Sequence, residues 1–187
     1  YIVGDTQIDT TDKEYPRERI SNPLALNLYT LAYNDQQQLI PLNTALKENL
    51  RTYLSQFRML TDAINIKTAY VVNIGVEADI IPTPNSNSQE VILRVVNRLR
   101  ELFHVERMQI NGPINVSNIM SELDKVRGVQ TVAGLDIKNL YNTVTGYSQY
   151  VYDIEGATKN GIIYPSLDPM IFEVRFPNKD IKGRIVS

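Results

Sequence analysis

Apolar and polar positions alternate and then recur at helical spacing along the middle of this chain, so residues 70–137 read as strand, helix, strand, helix, strand. Val72, Ile74, Val76, Ala78 and Ile80 are apolar while Asn73, Glu77 and Asp79 are polar, the period of two expected of a half-buried strand. Pro82 and Pro84 end that strand. Asn87-Ser88-Gln89-Glu90 has the spacing of a capping box, with Asn87 as N-cap and Glu90 reaching back. Beyond it Ile92, Val95, Val96, Leu99, Leu102 and Phe103 recur at the interval of one helix face.

The next half repeats the plan. A short strand is expected over 105–110, closed by Gly112-Pro113, and Asn115 or Ser117 can cap a helix with Ile119, Met120, Leu123 and Val126 inward. Gly128 stands where a left-handed residue would stop that helix, and 129–137 returns as a strand. Elements that each carry one apolar face must bury it against another layer, so the expected fold class is α+β, a two-layer sandwich with a split βαβ, ferredoxin-like central unit.

A βα module precedes this unit. Residues 26–33 form a strand candidate, Asn34-Asp35 opens a turn, and Asn43 or Thr44 caps a helix with Leu46, Leu50, Tyr53, Leu54 and Phe57 on one side. The tail from Tyr141 changes character, with β-rich runs at 150–154, 162–164 and 171–176. Asn160-Gly161 is a type I′ turn dipeptide and predicts a hairpin over 151–164. The organisation expected is an arm over 1–22, the βα module over 23–69, the α+β domain over 70–140 and a small β extension over 141–187.

Composition changes this picture by exclusion. A chain of 187 residues can bury a real core without staples, and with no cysteine it has no disulfide, thiol chemistry or cysteine–zinc site. No apolar run reaches the roughly 20 residues of a membrane span, no signal peptide is visible, and the first residue is not Met, which points to a fragment or a processed product. The net charge is −2, from 19 basic and 21 acidic side chains spread along the chain, so there is no basic field for nucleic acid. The charges of residues 5–19 read as a solvated arm, and Arg94, Arg98, Arg100 and Glu101 as the polar face of a helix.

Candidate chemistry is sparse. His104 is the only histidine and sits at a helix end, the place of a surface residue rather than of a triad or metal site. The segment from Gly156 to Gly161 has the glycine spacing of a phosphate loop, but Ile162 and Ile163 stand where Lys and Ser or Thr belong, so a hairpin loop is expected. Glu77 and Asp79 share a strand face and imitate a carboxylate pair, although alternating strand carboxylates usually face solvent. Asn115-Val116-Ser117 is a formal glycosylation sequon. Tyrosines Tyr147, Tyr150, Tyr152 and Tyr164 could line a sugar or peptide groove, and more readily supply protein–protein contact, since tyrosine joins an apolar body to a polar tip. No cofactor, metal or catalytic residue is expected.

A resemblance carries the reading further. The strand Leu28-Tyr29-Thr30-Leu31, the helix over 45–57, and the run from Arg58-Met59-Leu60-Thr61-Asp62 into Tyr70-Val71-Val72-Asn73-Ile74-Gly75-Val76 resemble the baseplate J-like family. More narrowly they resemble the C-terminal part of the wedge subunit of large contractile-tailed phages. The later elements agree in order: the helix over 87–103, Met108-Gln109-Ile110-Asn111-Gly112-Pro113-Ile114, and Leu123-Asp124-Lys125-Val126-Arg127-Gly128-Val129. The likeness spans about residues 23–137 and lies in order and pattern. It implies a virion structural protein without an active site, assembled in the host cytoplasm, whose partners are copies of itself and other wedge and hub proteins in a ring around the tail hub. The alternative is a small ligand- or peptide-binding α+β domain, because such folds host many functions.

Overall fold

A computed structural model describes residues 2–4, 25–57 and 63–186. Residues 5–22 of the expected arm, and residues 58–62 of the family likeness, lie outside the described residues. The described chain falls into two compact units, one made of residues up to Tyr70 with Ser166–Met170, the other of Val71–Pro165 and Ile171 onward.

In the first unit β1 (Ile2–Gly4) pairs antiparallel with β2 (Ala25–Thr30). The hairpin of β3 (Ala32–Tyr33) and β4 (Leu39–Ile40) follows, and the Asn34 side chain closes its turn by accepting from Gln36 and Gln38 N–H. Helix α1 (Thr44–Ser55) starts where Asn43 Oδ1 accepts from Leu46 N–H at 2.8 Å, and leads to β5 (Ala63–Thr68), parallel to β2. No residue of α1 is buried, and Leu46, Tyr53 and Phe57 of its expected inner face are exposed. Within α1 only Lys47, Leu50 and Leu54 are half-buried.

The second unit is the α+β sandwich. Its central strand β6 (Tyr70–Pro82) carries Val72, Ile74, Val76, Ala78 and Ile80 inward, all buried. Helix α2 (Ser88–Leu102) is capped by Asn87 Oδ1, which accepts from Gln89 N–H at 3.1 Å. The reciprocal half of the expected capping box is not formed, because the Glu90 carboxylate pairs with Arg94 one turn on. The strand expected over 105–110 is instead one 3₁₀ turn, Val105–Arg107, since Val105, Met108 and Ile110 do not alternate.

Strand β7 (Ile114–Asn115) lies outside the main sheet and runs into α3 (Val116–Asp124), capped by Asn115 Oδ1 accepting from Asn118 N–H at 2.9 Å. The sequon asparagine therefore has a structural task. Gly128 has φ +94° and begins the return along β8 (Val129–Asn139), antiparallel to β6. A Cβ at Gly128 would meet Val91 Cγ2 at 2.7 Å, so glycine is required there.

Beyond β8 come α4 (Ile154–Ala157), β9 (Thr158–Lys159), β10 (Ile162–Ile163), β11 (Met170–Glu173), α5 (Pro177–Asp180) and β12 (Ile181–Ile185). The Asn160-Gly161 turn forms, with both residues at positive φ, but its hairpin is only β9 and β10, and residues 150–153 form no strand. Strands β11, β8 and β12 all pair with β6, and β12 does so in parallel. The tail thus supplies strands to the main sheet. Helices α2 and α3 cover its buried face through Val91, Val95, Leu99, Ile119 and Leu123. Arg98 joins the two helices, reaching Glu101 at 2.8 Å and Glu122 at 2.7 Å.

Candidate functional site

The other face of the β6 sheet carries the charged side chains Glu77, Asp79, Asp136, Lys138, Lys182 and Arg184. Register sets Glu77 opposite Lys182 and Asp136, and Asp79 opposite Arg184. Arg184 holds Asp79 with two hydrogen bonds, 2.9 Å from Nε and 2.8 Å from Nη2, which keeps the Asp79 carboxyl below its usual range. Lys138 pairs with Asp136 at 2.7 Å. Asp79 is therefore taken up in a cross-strand ion pair, while Glu77 stands between Lys182 on one neighbour strand and Asp136 on the other. His104 lies on the surface with Nδ1 3.7 Å from Glu106.

The four tyrosines occupy different environments in the second unit. Tyr147 is buried: its hydroxyl donates to Asp180 Oδ1 at 2.5 Å and its ring meets Phe176 edge-on at 5.4 Å. Burial first, and the Asp180 carboxylate second, raise the Tyr147 hydroxyl above the ordinary tyrosine pKa. Tyr150 is half-buried. Tyr152 stands edge-on to Phe172 at 5.7 Å, and its hydroxyl donates to the Tyr164 carbonyl at 2.5 Å. Tyr164 itself is 46% exposed. The fold brings Tyr152 and Tyr164 together, while Tyr147 packs with Phe176, Lys179 and Asp180.

A buried polar knot fixes the segment that carries them. Asn73 donates to Glu173 Oε2 at 2.7 Å and accepts from Ser148 N–H at 2.6 Å, and the Asn73 carbonyl accepts from Leu140 N–H and from Asn139 Nδ2. Asn139 Oδ1 in turn accepts from Tyr152 N–H at 2.9 Å. Asn73 looked in the sequence like one more solvent-facing residue of an alternating strand. Its partner is 100 positions away, and no local signal marks such a pair. Strand β12 did have a signal, the alternation of Ile181, Gly183 and Ile185 with Lys182 and Arg184, which the density of turn residues in the tail obscures.

Two open grooves flank these elements. One of about 500 Å³ is lined by Leu135, Ile137, Val116, Ile154 and Ile163, with charged residues at its rim; one of about 330 Å³ lies over Glu77, Asp136, Lys138, Lys179 and Lys182. Among the described residues no group of three or more His, Asp or Glu side chains is placed to hold a metal ion, and no helix is long and apolar enough to cross a membrane.

No family model matches the chain, and no curated protein matches it. Among solved structures it is similar to a chain of the anti-feeding prophage baseplate, determined by cryo-electron microscopy with six-fold symmetrisation. The two are 14% identical with a TM-score of 0.43, and the alignment covers 87% of this chain and 29% of that one.

Proposed function

We propose that this chain is a structural component of a contractile phage tail baseplate, a piece of a wedge subunit that works through protein–protein contacts around the tail hub. The observation that supports the reading is the sequence over about residues 23–137, which resembles the baseplate J-like pattern in the order of its segments from Leu28–Leu31 to Val129. The surface suits assembly: the exposed rings of Tyr53, near the end of α1, and Phe57, in the turn after it, meet at 5.1 Å and a tilt of 55°, and Tyr164 offers ring area beside the β9–β10 hairpin. In this proposal Tyr150, Tyr152 and Tyr164 contribute to contact with neighbouring subunits, and Tyr147 shapes the segment that presents them. The chain performs no catalysis, takes no cofactor, and resides in the virion tail.

Gold-labelled antibody against the chain, applied to contractile tails purified from the source of the sequence, tests this directly. Label at the distal end of the tail supports the baseplate reading. Particles that assemble fully yet contain none of the chain by mass spectrometry would overturn it.

A further inference from the structure

Strand β8 is paired on one side only among the described residues, and its free side follows from the register. Leu140 N–H donates to Asn73 O at 2.8 Å, so the pairs Gly75↔Lys138 and Glu77↔Asp136 are the hydrogen-bonded ones of the antiparallel ladder. The N–H and C=O of Leu135 and Ile137 then point away from β6. At either end the edge is closed: Val132 N–H donates to Asp124 Oδ1 at 2.8 Å, and the Asn139 side chain is held by Tyr152 N–H and the Asn73 carbonyl. Between these stops lies the groove of about 500 Å³, with Val116, Ile154 and Ile163 as apolar lining.

Edge strands are normally blunted by charge, proline or cover. Lys182 and Arg184 do this for β12, but the Leu135–Ile137 stretch holds Asp136, already paired with Lys138, and no proline. The rim adds two exposed carboxylates: Asp153, whose Oδ1 accepts from Gly156 N–H, and Glu155. The geometry points to this edge as the docking site for an extended segment of a partner polypeptide that carries basic side chains and joins β8 as a further strand of the sheet. Main-chain bonds to Leu135 and Ile137 supply affinity, and Asp153 and Glu155 select the charge. Two copies of this chain joined edge to edge across a two-fold axis would face acidic rim to acidic rim, which the basic strand avoids. This binding mode does not depend on the baseplate reading.

The test uses the intact chain and three fluorescein-labelled probes: the peptide Lys-Val-Thr-Val-Thr-Val-Lys, the same peptide with Glu at both ends, and the basic peptide N-methylated at every Val and Thr. Fluorescence anisotropy should show saturable binding of the first, at least ten-fold weaker binding of the second and none of the third. By NMR the Leu135 and Ile137 amides should exchange at least ten-fold faster than those of Asp136 and Lys138 in the free chain, and slow once the basic peptide is added. Glu155→Lys should weaken that peptide several-fold, and Leu135→Pro, which removes an outward N–H and no bond to β6, should abolish binding. Should Leu135→Pro fail to fold, the wild-type exchange pattern still decides. No saturable binding, binding indifferent to N-methylation, or concentration-dependent protection of Leu135 and Ile137 without peptide, which would assign the edge to a second copy, each overturns the proposal.

Discussion

Asn73 on β6 and Glu173 on β11 meet through a 2.7 Å hydrogen bond, both with almost no exposure to solvent. Glu173 is 2% exposed, and Arg175 Nη1 lies 3.4 Å from the same carboxylate oxygen. A buried carboxylate is tolerated only when it is paired and hydrogen-bonded, and Asn73 supplies a bond while also accepting from Ser148 N–H. Replacing Asn73 with Leu leaves both partners short of a bond and should cost about 2–4 kcal/mol, the range for bonds to charged groups plus a stranded donor. Urea unfolding monitored by circular dichroism would read it, and a loss below about 1 kcal/mol would mean that water replaces the amide.

Leu99 and Leu123 are both 0% exposed, at the centre of the layer that α2 and α3 place on the sheet. Either one changed to Ala should lower stability by about 2–5 kcal/mol, through lost transfer energy plus the cavity left behind. Equilibrium unfolding of each variant checks this, and the spread between them reports how far each site can collapse.

These helices show what was legible in the chain and what was not. Val95 and Leu99 lie on the face that the helical interval marks, and Asn87, Asn115 and Gly128 occupy their punctuation points, so β6, α2, α3 and β8 could be read from spacing, although the buried Val91 falls outside the expected face. The failures are non-local. Glu90 had two possible partners, the helix start and Arg94, and an i, i+4 ion pair won. Residues 105–110 held enough apolar side chains for a strand but not their alternation. The sheet gains β11 and β12 from the end of the chain, over a separation that no periodicity encodes. The tyrosines were identifiable as a group, yet only the fold tells that Tyr147 is sealed against Asp180 while Tyr164 faces water.

Tyr147 gives a prediction in pH. Its folded-state pKa is raised above the unfolded value by burial and then by Asp180. The protonated hydroxyl therefore stabilises the fold fully below the ordinary tyrosine pKa of about 10, and that contribution is lost as pH climbs above it. Tyr147→Phe should cost about 1–2 kcal/mol at neutral pH, since Asp180 loses the 2.5 Å bond from the Tyr147 hydroxyl and keeps the 2.8 Å bond from Phe176 N–H. The same variant should show a shallower loss of stability between about pH 9 and 11 than the parent chain. Parallel unfolding curves for the two proteins across that window would refute the linkage.

The gap at Gly128 predicts a specific non-additivity. Gly128→Ala forces a Cβ to within 2.7 Å of Val91 Cγ2 at φ +94°, so strain and overlap together should cost about 2–3 kcal/mol. Val91→Ala alone opens a small cavity in a buried site, at about 1–3 kcal/mol. Combined, the two changes should cost less than their sum by at least about 0.5 kcal/mol, because the second removes the methyl that the first collides with. Strict additivity in a double-mutant cycle would show that the backbone strain, and not the contact, dominates.

Exposed aromatic residues at the C-terminal end of α1 supply the last test, which separates assembly from folding. Tyr53 is 59% and Phe57 71% exposed, and their rings lie 5.1 Å apart, so they form one apolar spot at the C-terminal end of α1. Changing both to Ser removes little buried area and should alter stability by no more than about 0.5–1 kcal/mol, the scale of surface substitutions. If the chain is an assembly component, the same double change should weaken association with neighbouring subunits at least ten-fold, since clustered aromatic side chains contribute most at interfaces. Sedimentation velocity for self-association, and capture of the variant into tails assembled in its presence, would measure this beside a thermal melt. A variant that melts with the parent and enters tails equally well would remove the α1 spot from the contact surface and leave Tyr150, Tyr152 and Tyr164 to carry it.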